Sequence, residues 1–306
     1  MDEIRVFCPA TVANISCGFD VLGLALKTVG DEMVVRKSTK KGVRITKISG
    51  QELPLETQKN VAGVAAMALL ENFEQESGFE IEIHKRIKPG SGIGSSAASA
   101  AGAVWAINYL LESPFGKTDL IKFAMQGEKL ASNVAHADNV APAIFGGFTL
   151  VRSYDPLDIV SIPAPNALYA TVIHPQIEIK TADSRKILKT NITLAQGIQQ
   201  WGNLGGLVAG LYTCDYELIG RSLKDHIVEP IRSILIPEFM RVKEEVKNAG
   251  ALGSGISGSG PSIFALSKGE KIAQKVAQTM KGIYETTGLD FDIHVSPIGT
   301  MGIKLI

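Results

Sequence analysis

Residues 89 to 99 read PGSGIGSSAAS, with glycine at positions 90, 92 and 94, then a pair of serines and then alanines. The segment before it, FEIEIHKRI (79–87), alternates apolar and polar residues at the period of a strand. The segment after it, SSAASAAGAVWAINYLL (95–111), is rich in alanine and then in large apolar residues, which predicts a buried helix. The glycines therefore lie between a strand and a helix.

A glycine-rich loop in this place can hold an anion. Glycine tolerates positive φ and carries no Cβ, so several backbone N–H groups can turn toward one point. The unpaired N–H groups and the positive dipole end of the next helix add to such a site. Ser95 and Ser96 can cap that helix or reach a phosphate or a bound Mg²⁺. A tight turn with a serine N-cap explains the glycines equally well on this evidence alone.

Two common nucleotide motifs are absent. The sequence has no GxxxxGK[ST], which excludes a P-loop. A dinucleotide fingerprint needs an acidic residue about 20 positions further on, at the tip of a second strand. Here that span is a long apolar helix with only Glu112 near it. The loop therefore belongs to another kind of phosphate site.

Composition limits the class of protein. The chain has 306 residues, 45% of them apolar, which predicts a substantial core and two domains. Lys+Arg and Asp+Glu both total 31, so charge gives no case for nucleic acid or an anionic membrane. No apolar run reaches the roughly 18 residues of a membrane span, and the start, MDEIRVF, is unlike a signal peptide. Cys8, Cys17 and Cys214 are widely spaced and suggest neither disulfides nor zinc. We expect a soluble, cytoplasmic protein.

Strands and helices mix along the chain without strict alternation, which favours an α+β fold over a doubly wound sheet. The other predicted strands are 4–9, 32–37, 147–154, 261–266 and 291–298. The other predicted helices are 60–73 with Asn60 as N-cap, 118–133 beginning at a Thr118 cap, 194–212 and about 270–286. The proline-bearing stretch 161–175 looks like the transition to a second domain.

PGSGIGSSAAS resembles the central ATP-binding motif of the GHMP kinases, the superfamily of galactokinase, homoserine kinase, mevalonate kinase and phosphomevalonate kinase. PATVANISCGFDVLGLAL (9–26) resembles the first family motif in its homoserine kinase form, and GALGSGISGSGPSIFAL (250–266) resembles the third. HADNVAPAIFGG (136–147) and VEPIRSILIP (228–237) are also similar to homoserine kinase segments, so the resemblance runs nearly end to end. In the first motif Cys17 replaces the usual proline, which frees one φ angle and removes no chemical group.

The resemblance implies a fold and a reaction. Residues 1 to 155 are expected to form an ATP-binding domain with a ribosomal-protein-S5-like fold, and residues 156–306 a ferredoxin-like domain that completes the substrate site. The implied reaction is phosphorylation of L-homoserine by ATP, with Mg²⁺, in threonine biosynthesis. A homodimer is expected, with neither nucleic acid nor a membrane as partner. The alternatives are another small-alcohol kinase of the mevalonate type and a catalytically silent relative that acts as a sensor.

The resemblance also assigns the nucleotide and metal sites. Asn60 would lie near the adenine, although its position as a helix N-cap explains it equally well. The second glycine loop, 253–261, would lie beside the first, although a flexible connection between strands is the alternative. His84, Lys85 and Arg86 are expected to form a solvated strand end, with contact to the nucleotide as the alternative. The expected phosphate-binding residues are Pro89, Gly90, Ser91, Gly92, Ile93, Gly94, Ser95, Ser96, Ala97, Ala98 and Ser99.

Glu128 has an argument of its own. On a helical wheel of residues 120–131, Glu128 falls among the apolar side chains, while Lys122 and Lys129 fall on the opposite side. A carboxylate on an apolar face needs a cation or hydrogen-bond donors. A structural ion pair would satisfy it, and the resemblance implies instead an Mg²⁺ ligand that works with Ser96. Few hard oxygen ligands, completed by water and phosphate, suit Mg²⁺.

The acceptor substrate, by the same resemblance, is held by six residues around its ammonium and carboxylate. A planar guanidinium can bind a carboxylate through two hydrogen bonds; without the resemblance, either arginine would be interpreted as a surface charge. Asn14, Thr181 and Asn139 are expected at the reacting hydroxyl. Asn139 stands where mevalonate-type relatives have a catalytic aspartate, so we expect direct in-line attack without such a base. The six substrate-binding residues are Asn14, Asp20, His136, Asp138, Arg185 and Arg232.

Overall fold

The structure is a computed structural model that describes residues 1–74, 78–132, 134–179 and 181–306. It contains two sheets with helices packed on them, which confirms the predicted α+β class. Within the described residues, no helix is long and apolar enough to cross a membrane. The polar cavity described below lies where elements of the two sheets meet.

Among the described residues, the larger sheet holds seven strands and is mostly antiparallel. The strands are β1 (Glu3–Ala13), β2 (Leu22–Ser38), β3 (Gly42–Ser49), β4 (Gly78–His84), β5 (Phe148–Tyr154), β6 (Leu157–Ile162) and β11 (Lys304–Leu305). The main path of the sheet runs β11-β1-β2-β4-β3, and β5 pairs with both β2 and β6. The strand β11 thus pairs with the first strand, β1.

Four helices pack on this sheet. They are α1 (Val61–Leu70), α2 (Ser95–Leu110), α3 (Lys117–Ser132) and α4 (Val140–Phe145). The α2 helix contacts β1 and β2 on one side and α1 and α3 on the other. Alanine and glycine permit this enclosure: a Cβ added at Gly102 would lie 2.4 Å from the Sγ atom of Cys8. A helix that is apolar all round is buried all round, as the sequence predicts for α2.

The strands of the smaller sheet are, in chain order, β7 (Leu168–Pro175), β8 (Gly253–Ile256), β9 (Ile263–Lys268) and β10 (Phe291–Pro297). The sheet is antiparallel, with the strand order β10-β7-β9-β8. Counted from one to four they lie in the order 4-1-3-2, which agrees with the predicted ferredoxin-like arrangement. The helices here are α5 (Thr181–Lys186), α6 (Leu194–Thr213), α7 (Tyr216–Ser222), α8 (Glu229–Arg232), α9 (Phe239–Asn248) and α10 (Glu270–Tyr284).

Most predicted elements are present. The α3 helix begins at Lys117, so the expected Thr118 cap is wrong: Thr118 lies inside the first turn, and the Gly116 carbonyl oxygen accepts from Leu120. The last predicted residue of that helix, 133, lies outside the described residues. The stretch 161–175 contains the strand β7. The domain boundary near residue 155 stays a prediction; β6 and β11 also belong to the larger sheet.

Candidate active site

The first glycine loop has the backbone that the sequence predicts. Gly90, Gly92 and Gly94 have φ values of 74°, 83° and 70°, in the left-handed region that favours glycine. Gly94 is the N-cap of α2. Burial alternates along the loop, because Ser91 and Ile93 point into the protein while the glycines line the cavity. The first amides of α2 have no earlier helical turn to bond, so they are available to an anion.

The second glycine loop lies against the first, as predicted. Ser257 Oγ donates to the carbonyl oxygen of Gly92 at 2.7 Å, and Ser262 Oγ donates to that of Ser91 at 2.6 Å. A Cβ added at Gly92 would lie 2.7 Å from the carbonyl oxygens of both Ser257 and Gly260. The absence of a side chain at Gly92 therefore allows the two loops, one from each sheet, to touch. The bonds occupy loop carbonyls and leave amides for a ligand.

The pair of serines divides into two roles. Ser95 Oγ donates to the carbonyl oxygen of Ile87 at 3.0 Å, which fixes the start of α2. Ser96 instead forms a hydrogen bond with the carboxylate of Glu128. Burial raises the pKa of Glu128 to about 7, and the Ser96 hydrogen bond acts in the opposite direction. Ser96 is thus the serine that accompanies Glu128.

These two oxygens fit the predicted metal site. The donor set is one hydroxyl and one buried carboxylate beside a phosphate-type loop, and both side chains line the same cavity. Mg²⁺ binds through a few such ligands and keeps water or phosphate in its other positions. A bound cation would also stabilise the ionised carboxylate that burial disfavours. Within the described ranges, no group of three His, Cys, Asp or Glu residues could hold a metal alone.

One cavity of about 500 Å³ brings most of the predicted residues together. It contains the loop residues Gly90, Gly92 and Gly94 at one end. The predicted substrate and catalytic residues that line it are Asn14, Asp20, His136, Asp138, Asn139, Thr181, Arg185 and Arg232. Five predicted nucleotide residues, Asn60, Ser91, Ile93, Ala97 and Ala98, do not line it. Asn60 caps α1 by accepting from Ala62 N at 3.0 Å and donates to the Pro54 carbonyl oxygen at 2.8 Å.

At the other end of the cavity, Asp20 and Arg185 form a bidentate ion pair. Arg185 Nη1 donates to Asp20 Oδ2 at 3.0 Å, and Nη2 donates to Oδ1 at 2.7 Å. Arg185 Nη2 also lies 3.1 Å from His136 Nε2. Because burial lowers the pKa of His136, its ring stays neutral and can accept this bond. The two groups expected to hold the ends of the substrate thus hold each other in this structure.

Arg232 is a buried cation. Its side chain donates from Nε to the carbonyl oxygen of Ser184 at 3.0 Å, and the residue is 3% exposed. Burial, assisted by the neighbouring Arg185, lowers the pKa of Arg232 to about 10. The guanidinium therefore stays charged at neutral pH, and an incoming anion would stabilise it.

Phe19 is a site residue that the sequence reasoning did not single out. The guanidinium carbons of Arg185 and Arg232 lie 5.2 Å and 5.0 Å from its ring centroid. Cation–π contacts of this length keep a guanidinium plane in place. The sequence contained a sign that Phe19 belongs to the site, because Phe19 directly precedes Asp20 in the first motif.

Asp138 is a second buried acid of this cavity, besides Glu128. Burial raises its pKa to about 7, and the nearby Asp20 and Glu128 carboxylates act in the same direction. An ammonium group placed beside it would reverse that effect.

The three residues expected at the reacting hydroxyl lie beside the glycine loops. Asn139 Oδ1 accepts from Thr11 Oγ1 at 2.7 Å and would lie 3.1 Å from a Cβ at Gly94. Thr181 Oγ1 lies 3.2 Å from Ser259 Oγ of the second glycine loop. Asn14 accepts from the Asp20 amide and donates to the Gly258 carbonyl oxygen at 2.7 Å. All three connect the phosphate end of the cavity with its charged end.

The expectation that residues 84–86 form a solvated strand end is wrong for Lys85. The Lys85 side chain is 1% exposed and forms an ion pair with Asp31, whereas Arg86 is exposed and pairs with Glu32. The strand alternation contained the signal, because Lys85 continues the inward-facing positions of Ile81 and Ile83. A lysine at an inward position needs a buried partner.

Comparison with known proteins agrees with this geometry. The profile of the GHMP kinases N-terminal domain matches residues 60–147, and that of the GHMP kinases C-terminal domain matches residues 207–285. A homoserine kinase from Chloroherpeton thalassium is 45% identical, with both chains covered completely. A homoserine kinase from Methanococcus maripaludis is 44% identical over 89% of this chain and 90% of its own.

Solved structures give the same picture. The crystal structure of homoserine kinase from Cytophaga hutchinsonii superposes with a TM-score of 0.96 at 55% identity, covering 100% of this chain and 98% of the other. The L. major mevalonate kinase superposes with a TM-score of 0.71 over 95% of each chain. Its identity is only 15%, so this second likeness concerns the fold alone.

Proposed function

The chain belongs to the GHMP kinase family, and from this premise we propose that it is a homoserine kinase of threonine biosynthesis. It transfers the γ-phosphoryl group of ATP to the hydroxyl of L-homoserine, giving ADP and O-phospho-L-homoserine. One observation carries the proposal: a glycine loop built for phosphate and a cluster of acids and arginines line the same cavity. Such a cavity can hold a nucleotide and a small zwitterion side by side.

The charged end fits an amino-acid alcohol. The carboxylates of Asp20 and Asp138 can receive an ammonium group, and the guanidinium groups of Arg185 and Arg232 can receive a carboxylate. Since Asp20 and Arg185 are paired with each other, a zwitterion can replace both halves of that bond without leaving an unpaired charge. A substrate of the mevalonate type has a carboxylate but no ammonium group, so it would leave Asp20 unpaired.

For the metal, we propose that Ser96 and Glu128 hold Mg²⁺ at the phosphate end of the cavity. When bound, the ion neutralises charge on the phosphates during transfer. The chain itself contributes the amides of the first glycine loop and the dipole of α2. Asn139, hydrogen-bonded to Thr11, lies against this loop and presents an amide to the cavity.

For the chemistry, we propose direct in-line transfer. The homoserine oxygen forms the new bond to the γ-phosphorus while the bond from that phosphorus to the bridging oxygen of ADP breaks. The hydroxyl proton leaves late, to a phosphate oxygen or to water, because an amide such as Asn139 cannot accept it. Positioning by Thr181 and Asn14 then supplies much of the rate.

The test is turnover by the unaltered protein. ADP release should be measured with homoserine, mevalonate, galactose and shikimate as acceptors, and we expect turnover with homoserine at a kcat/KM far above the others. Turnover of mevalonate in preference would favour the other small-alcohol kinases, and no turnover of any acceptor would favour a silent relative. An inert protein that gains activity on Asn139→Asp would contradict transfer without an aspartate base.

We also propose a cytoplasmic homodimer, and one helix face supports the dimer. The α6 helix contains no charged residue, and the side chains of Leu194, Ile198, Trp201 and Tyr212 are each more than half exposed. Gly202 and Gly205 lie among them with nothing within 4 Å of an added Cβ. Glycine costs about 1 kcal/mol relative to alanine inside a helix, and close approach of a second helix would explain that cost. An uncharged face can meet its own copy across a two-fold axis without repulsion.

The dimer is tested by its mass in solution. Sedimentation equilibrium at micromolar concentration should give twice the chain mass for the unaltered protein and the single-chain mass for Trp201→Glu, which places a charge in the centre of this face. A monomer before the substitution, or an unchanged dimer after it, would contradict an interface through α6.

A further inference from the structure

We propose that Asp31 and Lys85 act together as positioning residues for the first glycine loop. Asp31 was not singled out from the sequence, and Lys85, which lines the cavity, was expected at a solvated strand end. The inference rests on the proposed function, since it assumes that this loop binds the nucleotide phosphates. It adds two residues, and a reason for them, to a reaction otherwise assigned to the cavity side chains.

Asp31 accepts hydrogen bonds from the backbone just before the first glycine loop. Its Oδ1 atom accepts from the backbone amides of Arg86 and Ile87, at 2.7 Å and 2.9 Å. Its other oxygen pairs with the Lys85 ammonium group. Asp31 is 1% exposed and does not line the main cavity, so it has no direct route to a ligand there. Its hydrogen bonds fix the backbone that leads into Pro89.

Lys85 donates hydrogen bonds to the start of α2, just after the first glycine loop. Besides Asp31, its Nζ atom donates to the Ser95 carbonyl oxygen at 2.9 Å and to Ser99 Oγ at 3.1 Å. An ammonium group has three hydrogens, and these three acceptors match them. Ser95 in turn donates to the carbonyl oxygen of Ile87. The hydrogen bonds therefore form a closed network that connects residues 86–87, before the loop, with the first turn of α2, after it.

The burial of this pair indicates a purpose beyond packing. Two buried charges are expensive to desolvate, and well-packed apolar residues often stabilise a fold as well or better. A pair of this kind fixes a single backbone geometry, because displacing either end leaves a charge without its partner. Here the fixed backbone is the one that directs amides at the cavity and places Ser96 beside Glu128. A shift of about 1 Å in such a group can cost up to 100-fold in rate.

The test compares both members of the pair with a control pair on the same strands. Asp31→Asn and Lys85→Met should each lower kcat/KM for ATP by about 10- to 100-fold and leave the KM for homoserine within about threefold. The double variant should be no worse than the worse single variant, because the two side chains act as one unit. Lys85→Arg should recover part of the loss.

Glu82→Gln removes the ion pair with Arg36, which also joins β2 to β4 but lies away from the loop, and should have no effect.

The affinity for ADP, measured by isothermal titration calorimetry, provides a second readout that needs no acceptor substrate. It separates failure of this inference from failure of the homoserine assignment. Loss of ADP affinity in Lys85→Met alone, with Asp31→Asn unchanged, would show that Lys85 acts as a direct ligand and would overturn the proposal. Equal losses for ATP and homoserine, in step with a lower thermal midpoint, would show a merely structural pair. If these variants fail to fold, Ser99→Ala removes one acceptor of Lys85 and should weaken ADP by a smaller factor; unchanged affinity would contradict the network.

Discussion

Replacing Glu128 by glutamine is expected to lower kcat/KM by about 100-fold or more, because the metal site would lose its carboxylate. Glutamine keeps the size of the side chain and can still bond to Ser96. What it removes is the negative charge that would hold Mg²⁺ beside the first glycine loop. The measurement is steady-state ADP release at several Mg²⁺ concentrations, where the variant should need much more Mg²⁺ than the unaltered protein.

Stability provides the control for this experiment. The pKa of Glu128 is raised from 4.5 to about 7 by burial, so between these values the folded protein retains a proton that the unfolded chain has lost. The stability from this group is therefore present below about pH 4.5 and lost as the pH rises through 7. Glutamine never ionises, so the thermal midpoint at pH 8 should not fall. A folded variant with near-normal activity would contradict the metal assignment, and a lower thermal midpoint at pH 8 would contradict the stability expectation.

Replacing Arg232 by methionine is expected to lower kcat/KM for homoserine by about 100-fold or more, since truncating one partner of a buried charge pair is costly. Arg232 is the most buried cation at the charged end of the cavity, and Phe19 holds its guanidinium plane. The KM for ATP should change less than the KM for homoserine, because Arg232 reaches the glycine loops only through a 3.4 Å hydrogen bond from Nη1 to the Gly258 carbonyl oxygen. Lysine at this position should recover little, since it lacks the planar fork that binds a carboxylate.

Arg221 offers a matched control for Arg232. It lies on α7, is exposed and, among the described residues, forms an ion pair with Glu217 one helical turn away, so Arg221→Met should leave both kinetic constants unchanged. The informative comparison is the KM for homoserine against the KM for ATP in each variant. A rise in the KM for ATP alone after Arg232→Met would move this arginine to the nucleotide and contradict the substrate assignment.

Much of the fold could be predicted because its signals are local. The period-two pattern of FEIEIHKRI gave β4, and the alanine-rich segment gave the buried helix α2. Elements with weak local patterns were missed: β7 follows prolines, and β8 is only four residues long with two glycines. The two-residue strand β11 depends on β1, which is nearly 300 positions away, and no periodicity in two residues can reveal that.

The candidate site, like the fold, could be predicted only in part. Motif resemblance predicted eight substrate and catalytic residues that line the cavity, and the wheel of α3 predicted the burial of Glu128. What could not be predicted was how these groups pair before a ligand arrives. The Asp20–Arg185 bond joins residues 165 positions apart, and the position of Phe19 against two arginines requires the folded chain. Such pairings depend on tertiary distances that a single sequence does not contain.

The path of the chain also bears on how it is made. The strand β1 pairs with β11 at Val6 and Phe7, and the amide of Ile306 donates to the Arg5 carbonyl oxygen. During synthesis the chain therefore has β1 long before the strand that pairs with its outer edge. Domains usually fold in order of synthesis, but here the larger sheet can be completed only after Lys304 and Leu305 have been made.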